Sequence, residues 1–406
     1  MTTPEAFAAA LRPGLRIFLG DAAGQPDAVL DALAARPEAL AGATLIQVPV
    51  PGANRRDLSA LAPVEVTFMT PELRPGLAAG RVAFRPMHYS AGFRWLRDAA
   101  RPDLAVFRCS APRDGRVSLA LAHDFVPAAA AAGAGLVGVV DPALPFVPDG
   151  MELEVERLHA LVDGPSPSPE LSVDAPDAAM RAIGLHVAKL VREGDTVQAG
   201  IGGAADAALR ALRHHRRLRY HGGMLADAVL ELMDAGAIDG AVCAVALGSS
   251  ALYARLAGER RIGFRPVGHT HDAGVLGAIP RLVAINAAVE VDLLGQVNSE
   301  MIGGRQVSGH GGVADFVRAA RGRGRAVFVL PATGRGGAVS RIVAKLPAGT
   351  PVSVTRADID VVATEFGAVE LADLPIDERA ERLIGIAAPQ FRDALAGEWA
   401  AMRRAM

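Results

Sequence analysis

The sequence predicts an α/β protein made of two similar open domains with mostly parallel sheets. Short apolar runs alternate with helical segments, and several of these runs are continuously apolar, which is typical of strands buried on both faces. A segment with three prolines in five residues, within 163–169, interrupts this alternation near the middle of the chain. We therefore expect an N-terminal domain over residues 1–168 and a C-terminal domain over residues 169–406.

The expected elements of the first domain follow one another along the chain. Strands are predicted at 16–19, 44–50, 64–68, 82–85, 104–108, 117–121 and 135–140. Helices are predicted near 26–34, 91–98 and 126–132. The second domain is expected to begin with a long helix over about 176–192, after which strands and helices alternate again.

A weak internal repeat is consistent with two related halves. Residues 27–33 and 206–212 match at five of seven positions, and each segment follows a strand and a glycine-bearing turn. Alanine-rich helices also resemble one another by chance, so the repeat only supports the fold prediction. Clefts between facing domains are common ligand sites, and the active site is expected at the domain interface.

Composition argues against several classes of partner. The 406 residues carry a formal net charge of -2, which gives no reason to expect nucleic acid or an anionic membrane surface. No apolar run reaches the roughly 20 residues of a membrane-spanning helix. The N-terminal residues lack the pattern of a secretory signal, so we expect a cytoplasmic protein. Cys109 and Cys243 form neither a disulfide framework nor a paired metal motif.

One pair of carboxylates lies where burial is costly. Glu290 and Asp292 belong to the apolar run 282–294, and side-chain alternation along a strand places both acids on one face. The local pattern leaves two interpretations open. The segment is either a half-exposed strand with two solvated acids or a strand that presents Glu290 as a covalent nucleophile.

The turn at 198–205 contains the pattern G-x-G-x-x-A between a predicted strand and a predicted helix. Gly200 and Gly202 are its two glycines, and this is the alanine variant of a dinucleotide fingerprint. The acid expected at the end of the next strand is missing from 218–221, which disfavours NAD or NADP. A tight turn without a ligand explains the pattern equally well. The basic cluster 213–219 is more typical of a solvated helix end than of a phosphate site.

A loop after the predicted strand 262–267 carries His269 and His271. Since no other histidine or cysteine follows at a zinc-binding spacing, no metal is expected. The loop is nevertheless assigned to the site, because open α/β sheets bind ligands at the carboxyl ends of their strands.

Two glycine-bearing segments are candidates for contact with an anion or a carbonyl oxygen. The segment 308–316 is rich in glycine and enters a predicted helix, whose N-terminus could hold an anion. The segment 361–367 is predicted to be a buried strand ending in a glycine that could donate its N–H group. Motifs of P-loop proteins, serine hydrolases and zinc proteases are absent from the sequence.

Several of these segments together resemble the acetyl-CoA hydrolase/transferase family of class I CoA-transferases, which includes 4-hydroxybutyrate/acetate CoA-transferases. The resemblance is carried by 264–267, 271–272, 284–286, 290–293, 295–300, 308–316, 336–343, 356–358, 364–367 and 378–380. It extends more loosely to 200–202 and to the N-terminal half. The resemblance implies two α/β domains of similar topology, a site at their interface and a homodimer or higher homo-oligomer.

The same resemblance implies roles for individual residues. Glu290 is the glutamate that becomes acylated. Backbone donors to an oxyanion, or contacts to CoA, are placed by analogy at Val267, Gly268, His269, Ala363 and Gly367. The CoA or acyl pocket is expected to include Gly200, Gly202, His271, Asn286, Gly311 and Gly312. Coenzyme A is expected as a substrate, with no cofactor bound permanently.

The implied activity is CoA transfer between an acyl-CoA and a short-chain carboxylate such as acetate, through a covalent glutamyl-CoA thioester. An acyl-CoA hydrolase is the nearest alternative, and a dinucleotide-dependent oxidoreductase is a more distant one. The chain departs from the family pattern at 203–205, at 221–223 and at Gly268. These departures leave the identity of the acyl group open.

Overall fold

The computed structural model describes residues 1–171 and 174–406. Its N-terminal sheet has seven strands, all parallel. In chain order they are β1 (Arg16–Leu19), β2 (Thr44–Gln47), β3 (Val64–Val66), β4 (Val82–Phe84), β5 (Leu104–Cys109), β6 (Gly135–Val140) and β7 (Ala160–Asp163). They lie in the order β4-β3-β2-β1-β5-β6-β7.

The C-terminal sheet has eight strands. In chain order they are β8 (Thr196–Ala199), β9 (Leu218–His221), β10 (Ile238–Cys243), β11 (Ile262–Phe264), β12 (Leu282–Ala287), β13 (Arg325–Val329), β14 (Val361–Thr364) and β15 (Gly367–Glu370). They lie in the order β11-β10-β9-β8-β12-β13-β14-β15. All neighbours are parallel except β14 and β15, which form an antiparallel hairpin.

The two sheets repeat one topology. In each, the first four strands run outward in one direction and the fifth strand starts again beside the first on its other side. The prediction of two similar open α/β domains with mostly parallel strands is therefore confirmed. The exact boundary at residues 168 and 169 stays a prediction. Each sheet has a switch point next to its first strand, where open α/β sheets commonly bind ligands.

Helices cover both sheets and bury an apolar side against them. Their bounds are Pro4–Ala10, Asp27–Ala34, Arg74–Ala78, Tyr89–Trp95, Val126–Ala131, Ala178–Ala188, Gly203–Arg210, Asp227–Asp234, Ser250–Leu256, Val267–Thr270, Ala273–Gly277, Val313–Ala320, Ile376–Ile386 and Arg392–Ala405. None of the described helices is both long and apolar enough to cross a membrane.

Short strands form smaller sheets outside the two main ones. The pairs are Arg116–Ser118 with Glu152–Glu154, Met224–Leu225 with Val245–Ala246, Met301–Ile302 with Arg305–Gln306, and Thr333–Gly334 with Val339–Ser340. A three-stranded sheet places Glu290–Asp292 between Val297–Asn298 and Ile342–Val343.

Several predicted elements have other bounds in the structure, and three of them differ most clearly. The strand predicted at 117–121 is shorter and lies outside the main sheet, because the chain turns after Ser118 and Ala122 bridges to Val245 of the second domain. The helix predicted at 176–192 covers only Ala178–Ala188, since the Asp177 side chain caps its start by accepting from the Met180 amide at 2.8 Å. The expected loop at 267–270 is a single helical turn.

The segment that joins the domains is fixed on both sides. Arg108 of β5, almost fully buried, pairs with Asp141 at 2.6 Å and also donates to the Ser166 carbonyl. On the other domain, the Tyr253 hydroxyl donates to the Pro169 carbonyl at 2.6 Å. The described part of this segment therefore has anchors in both domains.

Candidate active site

A cavity of about 380 Å³ lies between the two domains, at the carboxyl ends of both sheets. Asp21 follows β1 and Gly200 follows β8, so the two switch points face the same space. Most of its wall is apolar: Val48, Val50, Pro51, Phe68, Phe125, Ile201, Met224, Val245, Val267, Ala287, Ala288, Val289, Val307, Val313 and Phe316. Its position and size suit a small-molecule site.

Glycines along the wall leave room for polar side chains. A Cβ atom at Gly200 would lie 2.7 Å from Asn286 Oδ1, and one at Gly312 would lie 2.3 Å from His271 Nε2. A Cβ atom at Gly223 would approach His271 Cε1 to 3.0 Å. Close packing therefore accounts for glycine at position 200 without a bound dinucleotide.

His271 presents an imidazole ring to the cavity. Its Nδ1 atom lies 2.9 Å from Thr270 Oγ1, and that hydroxyl also lies 3.4 Å from the Pro266 carbonyl. The contact with Thr270 fixes the orientation of the ring, whose Nε2 atom faces Gly312. Burial, with a smaller contribution from His221, lowers the pKa of His271 to about 3. The ring is therefore neutral at physiological pH.

A pair of acids, Asp21 and Asp124, lines another part of the cavity. They are 1% and 6% exposed. Asp124 accepts from the Phe125 amide at 2.9 Å, whereas the oxygens of Asp21 meet no donor among the described residues. Burial, followed by the charge of Asp124, raises the pKa of Asp21 well above its ordinary value, and burial raises the pKa of Asp124. Each acid is therefore harder to ionise than an exposed one, and the charge of Asp124 opposes ionisation of Asp21.

Tyr89 lies between this pair and His271. Its ring is 5.5 Å from the rings of both Phe125 and His271. Burial, with smaller contributions from Asp21 and Asp124, raises the pKa of Tyr89, so the phenol keeps its proton.

Glu290, the predicted nucleophile, lies next to the cavity rather than in its wall. The neighbouring residues Val289 and Ser299 line the cavity. The Glu290 side chain is half-buried, and its Oε2 atom accepts from Asn298 Nδ2 at 3.0 Å. The structure therefore places this carboxylate at the edge of the site.

Asp292 has a different environment from Glu290. It is fully buried, and its carboxylate accepts from the Leu294 amide at 3.0 Å, the Gln296 amide at 2.8 Å and the Gln296 side chain at 2.7 Å. These bonds fix the turn after the strand, so Asp292 has a structural role.

The cavity brings together about half of the predicted site residues. Those in its wall are Gly200, Val267, His271, Asn286, Gly311 and Gly312. Those outside it are Gly202, Gly268, His269, Glu290, Ala363 and Gly367. The Val267 amide already donates to the Asp124 carbonyl at 3.0 Å, so its use as an oxyanion donor would require breaking that bond.

Four titratable residues of the wall were not predicted as site residues: Asp21, Tyr89, Asp124 and His310. His310 Nδ1 lies 3.4 Å from Glu300 Oε1, which also accepts from Ser353 Oγ at 2.8 Å. The position of Asp21 directly after a predicted strand was a usable signal, because ligand groups collect at strand ends.

Sequence comparison decides the family of this chain. A family model for the acetyl-CoA hydrolase/transferase C-terminal domain matches residues 248–399. A succinyl-CoA:cyclohexane-1-carboxylate CoA transferase from Geobacter metallireducens is 30% identical over 97% of this chain and 93% of its own length. The chain belongs to the acetyl-CoA hydrolase/transferase family.

Two further similar proteins extend the comparison over nearly the whole chain. The 4-hydroxybutyrate coenzyme A transferase of Clostridium kluyveri is 28% identical over 95% of this chain and 93% of its own length. The crystal structure of RipA from Yersinia pestis has a TM-score of 0.91 and 26% identity, covering 99% of this chain and 97% of that one. The matched C-terminal family domain contains Glu290, His271 and Asn286.

Proposed function

We propose that the chain is an acyl-CoA:carboxylate CoA-transferase that works in the cavity between its domains. The observation that carries the proposal is this cavity, which lies at the switch points of both sheets in a chain of the acetyl-CoA hydrolase/transferase family. Its apolar wall can exclude water from a reactive acyl intermediate. The expected homo-oligomer stays a prediction.

The proposed chemistry uses a carboxylate of the protein as a nucleophile. The carboxylate oxygen attacks the thioester carbonyl carbon and the carbon–sulfur bond breaks. This step releases CoA thiolate and leaves a mixed anhydride between the acyl group and the protein carboxylate. The thiolate then attacks the protein side of the anhydride and releases the free carboxylate product, which leaves a protein thioester of CoA. An incoming carboxylate reverses these steps and leaves as its CoA ester. No general base is required, since both nucleophiles are already ionised.

Glu290 is the proposed nucleophile, as the family resemblance implies. Support comes from its half-buried carboxylate beside the cavity-lining residues Val289 and Ser299, with Asn298 holding only one oxygen. For the reaction to occur there, the thioester must reach the edge of the cavity. Asp21 and Asp124 are the carboxyl groups in the wall itself, so an experiment has to locate the modified residue.

The test is to incubate the protein with butyryl-CoA and acetate, quench the reaction and map any CoA adduct by peptide mass spectrometry. We expect the adduct on Glu290 in the wild type and its loss in Glu290→Gln. An adduct on Asp21 or Asp124 would keep the transferase proposal and reassign its nucleophile. Transfer of CoA without any protein adduct would contradict the covalent mechanism.

Hydrolysis is the second candidate function, and the two buried acids Asp21 and Asp124 in the cavity wall favour it. In such a pair, an ionised carboxyl group can activate water while a protonated partner donates to the departing group. Consumption of butyryl-CoA with and without acetate separates the two functions, because a transferase passes CoA to acetate whereas a hydrolase releases free CoA. We expect consumption to depend on acetate, and an equal rate of consumption in its absence, with release of free CoA, would identify a hydrolase.

A further inference from the structure

We infer that the cavity accepts uncharged acyl chains and excludes acyl groups that carry a second carboxylate. The inference rests on the proposed function, because it concerns the acyl group of the CoA thioester. Asp21 and Asp124 are the residues assigned to this selection, and the polar groups that face the cavity beside them support it.

The acid pair presents negative charge to the cavity without a neighbouring cation. Asp21 is 1% exposed and its oxygens meet no donor among the described residues. Lysine and arginine are both absent from the described cavity wall. An acyl carboxylate brought into the same low-dielectric space would lie beside two buried acids, with no cation in the described wall to balance its charge.

The helix N-terminus that follows the cavity residue Gly312 does not offset this preference. The helix Val313–Ala320 carries Asp315 in its first turn. Asp315 is held there by the Ser90 amide at 3.2 Å and the Ser90 hydroxyl at 2.7 Å. Asp315 therefore already supplies the negative charge that interacts favourably with the dipole of this helix.

The amides in the wall are also occupied by each other. Asn286 Nδ2 donates to Gln198 Oε1 at 3.1 Å, and Gln198 Nε2 donates back to Asn286 Oδ1 at 3.4 Å. The rest of the wall is mainly aliphatic and aromatic. A carboxylate would therefore lose its hydration without gaining a cation, whereas a methyl group would gain apolar contact.

Butyryl-CoA and succinyl-CoA test the inference directly, because both have four-carbon acyl groups that differ in a terminal methyl or carboxylate. Binding of each is measured by isothermal titration calorimetry with the full chain, and CoA transfer to acetate is measured in parallel. We expect succinyl-CoA to bind about 100-fold more weakly than butyryl-CoA. Its kcat/KM should be lower by a similar factor.

Asp21→Asn tests whether the acid pair causes the selection. The substitution keeps the shape of the side chain and removes one carboxyl group, so the ratio of butyryl-CoA to succinyl-CoA affinity should fall by about tenfold. Asp124→Asn should lower the ratio in the same direction. Asp31→Asn is the matched control, because Asp31 is exposed on a helix of the same domain and pairs with Arg56. Its ratio should equal that of the wild type.

The outcomes separate this inference from the proposed function. Equal affinity for the two thioesters, or an unchanged ratio in both acid-pair variants, would overturn the inference while butyryl transfer still supports the function. If neither thioester binds, the proposed function fails and the inference fails with it. A large ratio that falls in both acid-pair variants and not in the control supports the selection by charge.

Discussion

Asp292 and Asp21 are both almost completely buried, but only Asp292 is surrounded by hydrogen-bond donors. Three donors from Leu294 and Gln296 satisfy Asp292 within one turn of the chain. Asp21 instead lies beside a second acid, in the wall of the cavity between the domains. Burial alone therefore does not identify a functional acid. The donors around a buried carboxylate decide whether its charge holds the fold together or remains available to a ligand.

The largest expected effect is on stability at Asp292. Asp292→Ala leaves the buried amides of Leu294 and Gln296 without an acceptor, so the free energy of unfolding should fall by about 3 kcal/mol. Urea denaturation followed by circular dichroism measures this change. Asp31→Ala, which alters an exposed acid, should change it by less than about 0.5 kcal/mol. A similarly small loss at Asp292 would remove the structural role assigned to that residue.

A substitution at Asp21 is expected to act in the opposite direction. Asp21→Asn removes a buried carboxyl group that lacks donors and lies beside Asp124. The free energy of unfolding at pH 7 should therefore rise by about 1 kcal/mol. Urea denaturation of both proteins at the same pH measures the difference. A clear loss of stability would show that Asp21 has donors in solution and that the contrast with Asp292 is mistaken.

The pH dependence of this difference sharpens the test. Because the folded pKa of Asp21 lies above its ordinary value of 3.8, the folded protein keeps this proton to higher pH than the unfolded chain. The contribution of this proton to the free energy of unfolding is fully present below pH 3.8. It is lost as the pH rises through the raised pKa of Asp21. The advantage of Asp21→Asn over wild type should thus be small near pH 3.5 and grow as the pH increases. An advantage that shrinks with rising pH would reverse the assigned direction of the pKa shift.

The smallest stability effect is expected at Glu290. Glu290→Gln keeps an oxygen that can accept from Asn298, and the side chain is only half-buried. The free energy of unfolding should change by less than about 0.5 kcal/mol. Thermal unfolding of the variant alongside wild type checks this. A small change means that any loss of CoA transfer in this variant reports on chemistry, while a loss of several kcal/mol would assign Glu290 to the fold.

Much of the fold could be predicted because its strands are continuous apolar runs. The run at 135–140 gave a strand with the bounds that the structure shows, since both faces of that strand are covered. The run at 117–121 does not form a strand of the main sheet, because its residues are buried by contact between the domains rather than by neighbouring strands. Local hydrophobicity predicts that a segment is buried, but it does not show whether a neighbouring strand or the other domain covers that segment.

Less of the candidate site could be predicted. His271 and the glycines at 311 and 312 belong to recognisable segments, and the structure brings them together in one wall. Asp21 follows the strand β1 and Asp124 precedes the helix Val126–Ala131, so their pairing depends on tertiary structure. Glu290 shows the opposite case, because its motif is clear while the direction of its side chain relative to the cavity depends on the small sheet around it.

The anchored segment between the domains has a consequence for the kinetics of ligand binding. Arg108, fixed by Asp141 within the first domain, holds the Ser166 carbonyl, and Tyr253 of the second domain holds the Pro169 carbonyl. Because only residues 167 and 168 lie between these two anchors, a large opening motion about this segment would break one of them and is disfavoured. The ligand therefore enters a cleft that already has its bound width. Its association rate should rise in proportion to concentration, without a plateau set by domain closure.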